Sequence, residues 1–134
     1  MAGVDIVVET NAPEPVYEQI VRQIHEGVKS GRLLPGTPLP TVRQLAGDLM
    51  LNRNTVARAY KMLEDQGVIL TAGRKGTFVR HDATREVDKL KASHAERAMG
   101  RVVERLMVDG LSRDEIADVF KRAMRAEGSK GQPS

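Results

Sequence analysis

A mostly helical chain is predicted by three features of its 134-residue sequence. Apolar residues recur at three- and four-residue steps from Val16 to Val28, the spacing of one helix face. Two shorter stripes of the same kind, Val42 to Leu49 and Val56 to Leu63, follow with a very short break between them. Two β-branched runs then flank the stretch "AGRKG". Three helices followed by a two-stranded ribbon make the winged helix-turn-helix arrangement.

In chain order, Ile6-Val7-Val8 reads as a brief strand, broken by "NAPEP". Ile20, Val21, Ile24 and Val28 form the buried stripe of the first helix, and Gly31 is suited to end it in a left-handed conformation. "LLPGTPLP" is a turn-rich connector that cannot be helical. Thr41 with Gln44 three residues on gives a capping box for the second helix, whose inner face is Val42, Leu45, Ala46 and Leu49. Asn52 is the expected N-cap of the third helix. Val56, Ala59, Tyr60 and Leu63 are its buried side, and Gly67 ends it. Val68-Ile69-Leu70 and Thr77-Phe78-Val79 form the hairpin. "HDATRE" reads as a polar linker. From Val87 a second helical region carries Leu90, Ala95, Ala98, Met99, Val102, Val103, Leu106 and Met107. "DGLSRDE" interrupts it with a second capping box, Ser112 and Glu115, and Ile116, Val119, Phe120, Ala123 and Met124 line the last helix.

Composition narrows the chemistry. There is no cysteine, which excludes disulfides, thiolate catalysis and Cys-ligated zinc. No apolar run is long enough to span a bilayer and no signal pattern opens the chain, so a cytoplasmic protein with no membrane partner is expected. The net charge is only +3, but it is unevenly spread. Residues 1–14 hold three acids and no base, residues 15–81 hold ten Lys/Arg against five Asp/Glu, and residues 82–134 hold eleven against ten. The positive excess lies in the middle segment, which points to a polyanion bound there.

That segment contains "LMLNRNTVARAYKML", Leu49 to Leu63, which carries Arg53, Arg58 and Lys61 and no acid. Wound at about 100° per residue, Val56, Tyr60 and Leu63 point one way. Asn54, Arg58 and Lys61 then point roughly the other, with Arg53 at the N-terminal end. A helix inserted into a DNA major groove lies between phosphate rails, where any carboxylate would be repelled. Arginine matches the acceptors of guanine, and asparagine the donor–acceptor pair of adenine. Taken alone, a solvated helix face is an equally good account. The neighbours favour DNA. Arg43 lies in the first turn of the preceding helix, and Thr41 can cap that helix or give its hydroxyl to a phosphate. Arg74, Lys75 and Gly76 form the hairpin tip, where a bare glycine backbone can approach a groove closely; a turn glycine with two solvated cations is the plainer alternative.

Residues 15–80 resemble the DNA-binding domain of GntR-family bacterial transcription regulators. The likeness is carried by "PVYEQIVRQIHEGVKSGRLLPGTPLPTVRQLA", "NRNTVARAYKMLEDQGVI" and "RKGTFV", and the short two-helix remainder looks like the YtrA subfamily. The resemblance implies a homodimer on an inverted-repeat operator in double-stranded DNA, usually as a repressor, with its own promoter and transporter genes as targets. It implies DNA contacts from Arg43, from Asn52, Arg53, Asn54 and Thr55 at the start of the recognition helix, and from Lys75 and Gly76 in the wing. Three positions depart from the family pattern. Ala57 stands where many members carry arginine, Met50 where glycine is common, and Arg74 where the wing usually has a first glycine.

The expected organisation is therefore a winged helix-turn-helix DNA-binding domain over 1–81, a two-helix dimerisation region over 82–127 and a disordered tail over 128–134. A helix pair this short cannot enclose a ligand alone, and its apolar surface is too wide for one helix partner to cover. Met99, Val102, Leu106, Ile116 and Phe120 are the expected dimer contacts, with packing on the chain's own DNA-binding domain as the alternative. A small-molecule effector between the two halves is compatible with this organisation, and no cofactor or metal is expected. An enzyme is disfavoured because His25, His81 and His94 lie in separate segments and no phosphate loop or nucleophile motif occurs. A protein-binding adaptor would need an apolar recognition face, and a non-specific DNA-packing protein would not need Asn52 and Asn54.

Overall fold

The computed structural model describes residues 5–131. The element order is α1 (Val16–Ser30), β1 (Pro38–Leu39), α2 (Val42–Leu49), α3 (Arg53–Asp65), β2 (Ile69–Thr71), β3 (Thr77–Val79), α4 (Ala83–Val108) and α5 (Arg113–Gly131). The chain divides into two compact units, one ending at Lys91 and the other beginning at Ala92.

The first unit is a winged helix-turn-helix. Its core joins Ile20, Ile24 and Val28 of α1, Leu45 and Ala46 of α2, Val56, Ala59, Tyr60 and Leu63 of α3, and Val68, Ile69 and Val79 of the ribbon. These are the apolar faces expected from the helical spacing. Gly31 ends α1 at φ 83°, and its N–H donates to the Val28 carbonyl. Gly27 is the less obvious glycine. A Cβ there would come within 2.7 Å of Leu33 Cδ1, so the missing side chain lets the connector fold back against α1.

The sheet has a strand that the sequence reading did not include. Pro38 and Leu39 pair antiparallel with Phe78 and Thr77, and β2 pairs with the other edge of β3, Ile69 opposite Val79 and Thr71 opposite Thr77. The strand order is β1-β3-β2. Proline is tolerated in β1 because it lies at the start of an edge strand.

Two other expectations are corrected. Ile6-Val7-Val8 is not a strand. Val7 and Glu9 instead meet two glutamine side chains of α1. Gln23 accepts from the Val7 N–H at 3.0 Å and donates to the Val7 carbonyl at 2.7 Å. Buried Gln19 accepts from the Glu9 N–H at 2.9 Å and donates to the carbonyls of Glu9 and Glu14. Val7 and Glu9 thus have both backbone groups paired without a strand partner. The second correction concerns "HDATRE", which is not an open linker. Helix α4 begins at Ala83, and Ala83 and Val87 are fully buried in the first unit's core. Lys29 Nζ lies 2.6 Å from Asp88 Oδ1, tying α1 to the same helix. Ala83 within this stretch and Val87 just after it, four residues apart, decide the structure.

The second unit holds the rest of α4 and α5. Gly110, at φ 103°, makes the turn between them. Ser112 and Glu115 form the expected capping box, with the Ser112 N–H on Glu115 Oε1 at 2.9 Å and the Glu115 N–H on Ser112 Oγ at 3.2 Å. Residues 128–131, expected as tail, continue α5, and 132–134 lie outside the described residues.

Candidate nucleic-acid interface

The turn between α2 and α3 is a Schellman motif. Met50 N–H donates to the Gly47 carbonyl at 3.3 Å and Leu51 N–H to Ala46 at 2.9 Å. Met50 occupies the left-handed position at φ 56°, ψ 45°, and it is the only such non-glycine among the described residues. Met50 therefore bears the local strain of a backbone shape that glycine takes freely.

Each helix of the pair starts on a side-chain cap. Gln44 N–H donates to Thr41 Oγ1 at 3.0 Å while Thr41 N–H donates to Gln44 Oε1 at 2.9 Å. Thr41 Oγ1 is committed to capping as an acceptor, which leaves its hydroxyl proton available. Asn52 Oδ1 accepts from Asn54 N–H at 2.8 Å, so the Asn52 side chain is likewise engaged in the cap. Tyr60 joins the two helices from below: its hydroxyl donates to the Pro40 carbonyl at 2.6 Å, one residue before the cap of α2. Burial holds the Tyr60 phenol above its ordinary pKa, so it stays a donor.

On the outer surface Arg43, Arg53, Asn54, Arg58 and Lys61 are exposed and Thr55 is half-buried. No acid stands in the first turn of α3. The first acids on this helix come at its end, and one of them engages a candidate residue. Lys61 Nζ lies 2.9 Å from Asp65 Oδ1, and this bond raises the lysine pKa. The pair is fully in solvent, where such bridges are weak. Arg58 is placed differently: its guanidinium carbon sits 3.9 Å from the centroid of the Tyr17 ring. Tyr17 was not among the residues singled out from sequence, because nothing in the linear order connects the first turn of α1 to the middle of α3. The Lys61–Asp65 pair, by contrast, has the i,i+4 spacing that sequence can reveal.

The wing is compact. Gly73–Lys75 form a single 3-10 turn between β2 and β3. Lys75 N–H donates to Ala72 at 3.0 Å, and Ala72 N–H to Gly76 at 2.8 Å. Gly76 has φ 99° and ψ −162°, a conformation open essentially to glycine alone. Gly73 is also left-handed, at φ 55°. Arg74 and Lys75 are exposed at the tip. Gly73 beside Arg74 takes the left-handed conformation, so Arg74 itself does not have to.

The second unit presents an apolar groove of about 500 Å³ lined by Met99, Val103 and Met107 of α4 and Arg113, Ile116, Ala117 and Phe120 of α5. Met99, Val102 and Phe120 are roughly half exposed, at 46 %, 52 % and 46 %; Leu106 and Ile116 are half-buried. Among the described residues no group of His, Asp and Glu is placed to hold a metal ion, and no helix is long and apolar enough to cross a membrane.

Comparison with known proteins agrees with this architecture. The family profile described as bacterial regulatory proteins, gntR family, matches residues 16–79. The HTH-type transcriptional regulator Rv1152 of Mycobacterium tuberculosis is 46 % identical over 94 residues, covering 69 % of this chain and 75 % of that protein. The HTH-type transcriptional repressor YtrA of Bacillus subtilis is 41 % identical over 78 residues, covering 58 % of this chain and 60 % of its own length. A crystal structure of a transcriptional regulator from Oenococcus oeni superposes with a TM-score of 0.69 at 32 % identity, over 87 % of this chain and 97 % of that one. A capped recognition helix clear of acids, a cationic wing and these likenesses lead to one conclusion: the chain belongs to the GntR family, in its YtrA branch, and is a DNA-binding transcriptional regulator rather than an enzyme.

Proposed function

We propose that the chain acts as a homodimeric repressor on an inverted-repeat operator, inside the cell where chromosomal DNA is accessible. The single observation that carries the DNA reading is the exposed outer face of α3, with Arg53, Asn54 and Arg58 in solvent and no acid before the helix end. In this reading α3 enters the major groove. Arg53, Asn54 and Arg58 meet base edges and the nearer phosphates, while Thr55, Arg43 and the Thr41 hydroxyl proton contact the backbone. Asn52 contributes by fixing the first turn of α3, and its amide nitrogen remains free to donate. Lys61 exchanges Asp65 for a phosphate, an exchange that costs little in solvent. Arg74 and Lys75 reach an adjacent minor groove, with Gly76 permitting close approach.

Dimerisation is supported by the apolar side chains that α4 and α5 leave exposed in the second unit, Met99, Val102 and Phe120 among them. Self-association through them, together with Leu106 and Ile116, buries that surface and supplies the twofold symmetry that a palindromic site needs. The family's habit makes transporter genes and the chain's own promoter the first targets to examine, with a small-molecule effector as the releasing signal. The test is selection from random duplexes, followed by titration of the selected duplex against salt. Recovery of an inverted repeat, bound with an affinity that falls steeply as salt rises, supports the reading. Selected sequences without inverted symmetry overturn the dimeric model. Leu106→Asp should yield a monomer with weakened operator binding; a dimer persisting in sedimentation would place the interface elsewhere.

A further inference from the structure

Tyr17 and Arg58 meet although they lie on different helices, α1 and α3. Tyr17 lies in the first turn of α1, half-buried and packed against the core, so its ring is fixed by its surroundings. Arg58 lies one turn beyond Asn54 on the exposed side of α3. Among the described residues it makes no ion pair or hydrogen bond; its guanidinium is held by the Tyr17 ring alone, at 3.9 Å. At the preceding position this chain has Ala57, which offers only a methyl group. Arg58 and Lys61 are the exposed cations beyond the first turn of α3, and a free arginine side chain has a large rotamer entropy to lose on binding.

We propose that Tyr17 is a positioning residue for DNA recognition: its ring holds the Arg58 guanidinium ordered before the duplex arrives. An aromatic face attracts a cation while leaving the N–H edges of the guanidinium unspent, so the stack orders the side chain without consuming its donors. A carboxylate in the same place would hold the arginine equally well, but it would take those donors and repel phosphate. Arg58 can therefore meet a base or a phosphate through its edge while its face stays on the ring. The proposal rests on the DNA-binding reading of the outer face of α3, and its test separates the two.

In the free protein, the Arg58 side-chain methylene protons should show a ring-current upfield shift by NMR, present in Tyr17→Phe and lost in Tyr17→Leu. An unshifted Arg58 in the wild-type protein overturns the proposal whatever the DNA result. On the duplex selected by the wild-type chain, Tyr17→Leu should bind about three- to fivefold more weakly, and Tyr17→Phe within about twofold of wild type. In an Arg58→Ala background, Tyr17→Leu should cost nothing further, with thermal midpoints recorded throughout to separate folding from binding. An equal loss from Tyr17→Leu in both backgrounds would show that Tyr17 acts on its own. A Tyr17→Phe variant as weak as Tyr17→Leu would assign the effect to the hydroxyl. Either result overturns positioning while leaving the regulator reading intact. Failure of the wild-type chain to select any duplex overturns the regulator reading and the proposal with it.

Discussion

Met50→Gly should make the protein more stable although it removes a large apolar side chain. Met50 is 91 % exposed, so its side chain contributes almost no burial. It holds φ 56°, ψ 45°, a conformation in which its Cβ crowds the following carbonyl oxygen. That crowding costs about 1–2 kcal/mol for a residue with a side chain. Glycine removes the penalty but adds freedom to the unfolded chain worth about 0.4–1 kcal/mol. The difference is a gain of about 0.5–1 kcal/mol, equivalent to a rise in Tm of about 3–6 °C for a unit of this size. Met50→Ala is the control. It deletes the same exposed atoms but keeps Cβ, so it should show none of the gain. Urea unfolding of the three proteins, read by far-ultraviolet circular dichroism, measures the difference directly. Met50→Gly no more stable than Met50→Ala would mean that the turn is unstrained, and the reasoning from its left-handed backbone would fail. DNA affinity should change little, because the glycine keeps the same Schellman hydrogen bonds.

Three further outcomes follow from the same physical reasoning. Gln19→Leu keeps roughly the volume of a side chain only 3 % exposed but strands the Glu9 N–H and the carbonyls of Glu9 and Glu14; a loss of about 2–3 kcal/mol in chemical denaturation is expected, and a neutral result would show that the N-terminal segment re-pairs with water. Gly27→Ala should destabilise despite alanine's better helix propensity, since its Cβ meets Leu33 at 2.7 Å; a higher Tm would mean that Leu33 moves aside freely. His25 gives a pH dependence. Burial lowers its pKa from the ordinary 6.5, its contact with Gln66 opposes the shift and the charge of Lys91 adds to it. The folded form therefore disfavours the imidazolium. The contribution of His25 is fully present above about pH 6.5 and is lost as pH falls through the lower folded value. Urea midpoints should drop on acidification through this window, and His25→Gln should flatten that drop; an unchanged slope would assign the acid sensitivity to other groups.

The helices of the first unit were legible in the sequence because each carries its own instructions. Val16 to Val28 shows the spacing of a buried stripe, and Thr41, Asn52 and Ser112 are caps whose partners lie within three residues. Such contacts are local, so linear order contains both members. The wing was legible for the same reason, two β-branched runs around a glycine-bearing turn. The absence of acids from the outer face of α3 needed only helical winding to become a statement about DNA.

What linear order did not contain were the contacts between distant residues. Ile6-Val7-Val8 has strand composition, but only the presence of Gln23 across it on α1 decides that a side chain, not a strand, takes the Val7 hydrogen bonds. "HDATRE" is polar by composition and helical because Ala83 and Val87 find space in a core built by other elements. β1 is too short to carry a pattern and exists only because β3 offers it an edge. The sequence marks Arg58 as a cation of the outer face of α3, and only the folding of α1 against α3 puts Tyr17 beneath it. Apolar faces, capped helix ends and the gathering of positive charge can be read from linear order, since they depend on neighbours three or four residues apart. Which backbone groups and which guanidinium are held is settled by packing, which alone brings their partners close.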